Sequence, residues 1–230
     1  MLKTVQPPIN EGVWRIGRKA DPFAFSRPAE PLLETGKPAS PRNRFDSALA
    51  SFSTGYFATQ REAAFAESMA PYRPDTEFVE LLPDDDSIGV GGLPADWRDQ
   101  RLIVNACLEP SETRPYLDFV DLEDSETIAE INKDLKPILA LFGIPNLTLG
   151  VLHSDNRIAT SWIATYLELA TDAEGLPLYA GIRYASKYGT DLECWAVFEG
   201  VGIERRSIDV IHVDDSDLKK IAKRFDLRVF

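Results

Sequence analysis

The stretch Ser53-Thr54-Gly55-Tyr56-Phe57-Ala58-Thr59-Gln60-Arg61-Glu62-Ala63-Ala64-Phe65-Ala66-Glu67-Ser68-Met69 changes from one periodicity to another within a few residues. Its first six residues, β-branched and aromatic around a glycine, predict a short strand. Thr59 and Glu62 stand at the Ser/Thr-x-x-Glu spacing of a capping box, so the strand is expected to run straight into a helix from about Gln60 to Met69, ended by Pro71. On a helical wheel Glu67 falls between Ala63 and Ala64, at the margin of a polar arc containing Gln60, Arg61 and Ser68. Small flanking residues leave room for a ligand there, and a plain exposed glutamate fits the same wheel.

Upstream, Gly12 to Gly17 reads as a short strand, followed by a Pro-punctuated surface loop over 21–41. Downstream, Thr76 to Leu82 and Arg101 to Leu108 read as strands around a turn-rich segment, 83–94. The glycines of that segment lack a following Gly-Lys-Ser/Thr and are read as loop, not as a phosphate cradle. From Ser125 onward Ile128, Ile131, Leu135, Ile138 and Phe142 recur at helical spacing, with Pro137 expected to bend or divide the helix. Leu147 to Leu152 is expected as a strand, Arg157 to Ala170 as a helix carrying Ile158, Trp162, Ile163 and Tyr166. Strands at Leu178 to Ala185, Cys194 to Phe198 and Ile203 to Val213, a capped helix from about Ser216 to Arg224 and a last short strand complete the chain. The fold class is α+β, with mixed, largely antiparallel sheets and flanking helices, without repeats or the regular alternation of a doubly wound sheet.

The 230 residues, 44% hydrophobic, suffice for one domain spanning 1–230. No apolar run follows Lys3 and none approaches a spanning helix, so a soluble, unexported, cytoplasmic protein is expected, with no membrane association. Cys107 and Cys194 each sit in an apolar stretch and read as buried free thiols. A formal charge of −12 disfavours direct contact with nucleic acid or anionic lipid. Yet residues 1–74 hold ten basic and seven acidic side chains against fifteen and thirty in the remainder. A locally basic beginning can seat a small anion, although chance clustering of solvated charges gives the same count.

His153 and His212 are too isolated for a metal site or a catalytic triad, so no metal is expected. His212 shares strand parity with Ile208 and Val210 and reads as a packed or edge histidine. The acidic runs at Asp84–Asp86 and Asp214–Asp217 read as a solvated turn and a helix N-terminus.

Trp14-Arg15, Asn43-Arg44-Phe45-Asp46, Tyr56-Phe57-Ala58, Ala63 to Glu67 and, far downstream, Gly181-Ile182-Arg183-Tyr184-Ala185-Ser186 together resemble the successive blocks of the RES-domain family of bacterial toxins. Arg44, Glu67 and Ser186 match the arginine, glutamate and serine for which that family is named. The blocks run from Trp14 to about Phe198, and 199–230 is expected to complete the sheet. One departure is that Arg42-Asn43 precedes Arg44 where the family often carries two glycines. The resemblance implies an ADP-ribosyltransferase-like core, NAD as substrate and cleavage of the nicotinamide–ribose bond with phosphate or water as acceptor. Alternatives are transfer of ADP-ribose to a protein, or a catalytically silent partner-binding module. It also implies an antitoxin with an Xre-type helix-turn-helix domain, and a homo-oligomer is compatible.

On that reading Arg44 and Arg15 offer planar forks to the pyrophosphate or ribose oxygens. Tyr56 stacks its ring on nicotinamide with its hydroxyl free to bond, and Glu67 stabilises the developing oxocarbenium charge. Ser186 bonds the nicotinamide amide or a ribose, or caps the Ser186–Asp191 turn. Arg157 is a further candidate contact or a helix-surface arginine.

Overall fold

The computed structural model describes residues 2–32, 43–74, 92–154 and 157–230. The expected strand at 76–82, the acidic run 84–86 and most of the 83–94 loop lie outside them. Among the described residues eight strands form one sheet: β1 (Thr4–Val5), β2 (Val13–Arg18), β3 (Thr54–Ala58), β4 (Arg101–Glu109), β5 (Phe119–Asp121), β6 (Gly181–Ser186), β7 (Gly189–Phe198) and β8 (Gly202–Val210), in the order β1-β5-β6-β7-β3-β2-β4-β8. Every neighbouring pair is antiparallel except β5 with β6. The helices are α1 (Arg61–Met69), α2 (Ser125–Leu141), α3 (Leu149–His153), α4 (Arg157–Glu168) and α5 (Ser216–Arg224).

Strand alternation separates two cores. Tyr56, Ala58, Trp14, Ile16 and Ile103 face one side, where buried residues of all five helices join a single cluster. Phe57, Val13, Val104 and Trp195 face the other, covered by Phe23, Val201 and neighbouring loop residues. Alanines at 63, 64 and 66 let α1 approach the sheet closely, with Phe65 and Met69 filling the space beside them. Ion pairs between α1 and the α5 segment complete the packing: Arg61 of α1 binds Asp215 and Asp217, and Lys220 of α5 binds Glu62 of α1.

Three expectations need correction and a fourth, at Pro137, is narrowed. The capping box at Thr59 does not form. Gln60 is the N-cap and makes no side-chain cap bond, because Thr59 Oγ1 donates to Glu193 Oε2 at 2.5 Å and accepts from Trp195 Nε1 at 2.8 Å. The sheet takes the hydroxyl that the helix was expected to use. Leu147 to Leu152 is not a strand: Thr148 accepts from the Val151 amide and starts the short helix α3. Pro137 does not divide α2, which runs unbroken from its Asp124 cap to Leu141. The described part of the 21–41 segment is not merely surface loop, since Phe23 and Leu32 are buried and Ser26 exchanges backbone bonds with Thr54 at 2.9 and 3.0 Å. His212 is exposed just beyond β8, whose outward residues Ile208 and Val210 are also exposed.

The join between β2 and β3 positions the site. β2 pairs with β4 along all six residues, Val13↔Ala106 to Arg18↔Arg101, but with β3 only at Trp14↔Ala58. Past that pair the ladder ends, because Ser26 occupies the edge of β3 at Thr54. Gly55 is needed there: a Cβ would stand 2.9 Å from the Phe25 ring. The strands therefore diverge towards Arg18 and Thr54, and the sheet opens beneath α1.

Candidate functional site

A cleft of about 530 Å³ occupies this opening, walled by β2, β3, α1, the Asn43–Arg44 loop and the end of β6. That volume is within the roughly 300–1,000 Å³ range of small-molecule sites. Of the residues singled out from the sequence, Arg15, Arg44, Tyr56, Glu67 and Arg157 line it. Ser186 lies behind the wall, 1% exposed.

Ser186 is nonetheless joined to the cleft. Its hydroxyl donates to Glu67 Oε1 at 2.6 Å and accepts from the Tyr188 amide at 3.1 Å, so it caps its turn and holds the glutamate at once. The preceding residue fixes a second side chain: the Ala185 carbonyl accepts from Arg44 Nη1 at 3.4 Å, while its amide donates to Glu123 Oε1 at 2.9 Å. The end of β6 thus anchors both Arg44 and Glu67, which belong to distant segments. Among the described residues no hydrogen bond engages Glu67 Oε2, and Glu67 is only half-buried.

Arg44 is 8% exposed, its guanidinium 5.1 Å from the Tyr184 ring centre. Tyr184 is buried. Desolvation, then the nearby Cys194 and Glu67, hold its phenol well above the usual range, with Arg44 opposing. Cys194, a free buried thiol like Cys107, is raised in the same way by burial and by Glu67.

The Tyr56 hydroxyl is not available to a ligand, contrary to expectation. It accepts from the Phe45 amide and donates to Asp46 Oδ1, each at 2.9 Å. Burial, then the Asp46 charge, raise its pKa strongly, so it remains a proton donor. Only its ring faces the cleft. Asp46 also accepts from the Asn43 amide at 2.9 Å, so this carboxylate and phenol together fold the loop that carries Arg44. The asparagine standing in the glycine position is held through that amide.

Arg15 lies in the gap between the strands. Its guanidinium is 5.4 Å from the Phe57 ring centre and Nη2 donates to the Ala24 carbonyl, whereas buried Nη1 has no partner among the described residues. Burial lowers its pKa to about 10, opposed by Asp21 and Tyr56, and it stays cationic at neutral pH.

Sequence reasoning missed Arg18, Arg101, Lys187, Tyr184 and Tyr188 as wall residues and Asp46 as the pin of the loop. Asp46 and Tyr184 lay within blocks already singled out; Arg18 and Arg101 are united only by strand register. Six cations, Arg15, Arg18, Arg44, Arg101, Arg157 and Lys187, line the described cleft against one carboxylate, Glu67. In a chain of net charge −12 this is a local reversal of sign that favours an anionic ligand. Among the described residues no group of three or more His, Cys, Asp or Glu could hold a metal ion, and no helix is long and apolar enough to cross a membrane.

Comparison with protein families, curated proteins and solved structures finds no match for this chain.

Proposed function

We propose that the cleft binds NAD and cleaves its nicotinamide–ribose bond. The observation that carries this reading is Glu67, the one carboxylate among the described lining residues, tethered by Ser186 within a wall of six cations. The cations suit the pyrophosphate, Arg44 and Arg15 offering forked donors to its oxygens. Aromatic rings at Tyr56 and Trp14 suit the flat, cationic nicotinamide.

As the C1′–N bond breaks, its electron pair passes to the pyridinium nitrogen and nicotinamide leaves neutral, without a general acid. Positive charge develops on the ribose, and a fixed carboxylate stabilises it. Water or phosphate then forms the new bond to C1′, water losing a proton in doing so. By the resemblance of the blocks from Trp14 to Phe198, the protein acts in the cytoplasm as an NAD-depleting toxin. An antitoxin with an Xre-type helix-turn-helix domain restrains it.

The test is NAD consumption by the full chain, with and without inorganic phosphate, beside Glu67→Gln checked for an unchanged fold by circular dichroism. The expected loss in the variant is about 10²–10³-fold, the scale of removing one preorganised electrostatic group. ADP-ribose or its 1″-phosphate as product identifies the acceptor. A folded wild type that leaves NAD intact, or a variant as active as the wild type, sinks the reading.

A further inference from the structure

Arg18 and Arg101 are directly opposed Cα partners at the end of the β2–β4 ladder. Strand parity places both on the α1 side of the sheet, in line with Ile16↔Ile103, and both line the cleft. Directly opposed residues carry their Cβ atoms about 4.5–5.5 Å apart, and like charges so placed are destabilising. Among the described residues no carboxylate forms an ion pair with either arginine. Asp21, the acid nearest Arg18 in sequence, accepts from the Phe23 amide and acts electrostatically on Arg15.

Arg101 is held in place: its guanidinium lies 4.9 Å from the Trp97 ring centre, Nη1 donates to the Trp97 carbonyl and Nη2 reaches the Tyr72 hydroxyl at 3.5 Å. Among the described residues the Arg18 side chain makes no hydrogen bond or ion pair. One guanidinium is fixed and the other is free to close on a ligand. The NAD pyrophosphate, assigned to Arg44 and Arg15, leaves Arg18 and Arg101 without a counter-charge among the described residues.

We propose that the Arg18–Arg101 end of the cleft is a seat for a phosphate monoester dianion. The proposal rests on the cleft being a dinucleotide site. The dianion comes from one of two sources, the 2′-phosphate of NADP or free inorganic phosphate. Either places two charge-assisted forks on one anion and removes the repulsion between the arginines.

The experiment is calorimetric binding of 2′-phospho-ADP-ribose, ADP-ribose (which has no phosphate monoester) and inorganic phosphate to the full chain and to Arg18→Gln, an exposed position whose substitution leaves the packed Arg101 in place. The expected result is 2′-phospho-ADP-ribose bound about ten-fold or more tighter than ADP-ribose, the effect of one strong charge-assisted pair, with the preference abolished in Arg18→Gln and ADP-ribose binding retained. That outcome assigns the seat to the 2′-phosphate. Equal binding of the two nucleotides, with inorganic phosphate bound by wild type and not by Arg18→Gln, assigns it to free phosphate. Binding of all three ligands independent of Arg18 overturns the seat. Absence of NAD cleavage alongside Arg18-dependent binding would instead overturn the reaction, so the two failures are separable.

Discussion

The Ser186 hydroxyl donates to Glu67 Oε1 at 2.6 Å, joining the end of β6 to the middle of α1 across 119 residues of chain. Ser186 is buried and does not meet the cleft, so it acts through Glu67. Hydrogen bonds to charged groups contribute about 1.5–3 kcal/mol. If that energy orients the carboxylate, Ser186→Ala lowers kcat for NAD cleavage by about ten- to a hundred-fold, with KM little changed, and Ser186→Thr restores part of it. Steady-state kinetics on folded variants measure this. A lower melting temperature with unaltered kcat would reduce Ser186 to a turn cap.

Tyr56→Phe tests the loop that carries Arg44. The substitution leaves the ring on the cleft wall and removes the hydroxyl that bridges the Phe45 amide and Asp46. The Phe45 amide then lacks its partner, at a cost of about 1–3 kcal/mol before relaxation, and Asp46 loses one donor while keeping Asn43 and Ser26. Expected is a loss of stability of about 2 kcal/mol by urea denaturation and weaker NAD binding as Arg44 loses its support. If the phenol itself touched the ligand, affinity would fall without loss of stability.

The strand-then-helix reading of Ser53 to Met69 survives in β3 and α1 because aromatic, β-branched residues and an alanine-rich face decide it locally. The side-chain bonds at its junction were not legible, since Thr59 answers to Glu193 and Trp195, more than 130 residues away. Thr148 shows the converse: a local cap outweighed an apolar run that resembled a strand. In the cleft, Arg44, Tyr56 and Glu67 were found because they fall in compact blocks. Arg18 and Arg101 were not, because they stand 83 positions apart in the chain and only the register of β2 on β4 makes them neighbours. The opening of the sheet depends on Ser26 taking an edge at Thr54, a pairing without a sequence signature.

Gly17→Ala tests the mouth of that opening. A Cβ at Gly17 would stand 2.1 Å from the Pro22 carbonyl oxygen and 2.5 Å from its Cα, backbone atoms of the turn leaving β2. Overpacking of this kind costs about 1–3 kcal/mol. The turn must shift, carrying the adjacent Arg18. Urea denaturation is expected to show the lost stability, and 2′-phospho-ADP-ribose affinity is expected to fall more than ADP-ribose affinity. Stability equal to wild type would mean that the 18–22 turn packs less closely on β2 than these contacts require.

Asp215 links pH to the helix pair that backs the site. Its carboxylate caps α5 through the Asp217 and Leu218 amides and pairs with Arg61 on α1, which also stacks near Trp14. The Arg61 hydrogen bond, with the backbone amides and against the effect of burial, holds its pKa below the usual aspartate range. A folded pKa below the unfolded one gives stabilisation that is complete above the unfolded value and is lost as pH falls through the folded one. Asparagine keeps the capping ability and removes the charge. Asp215→Asn is therefore expected to cost about 1–2 kcal/mol at neutral pH, between the values for exposed and buried pairs, and the gap from wild type should begin to narrow as pH falls below about 4. Thermal or urea unfolding from pH 3 to pH 7 measures it. A gap that persists unchanged at pH 3 would place the effect in packing and not in the ionised carboxylate, while kcat at pH 7 should change little because the Ser186–Glu67 bond is untouched.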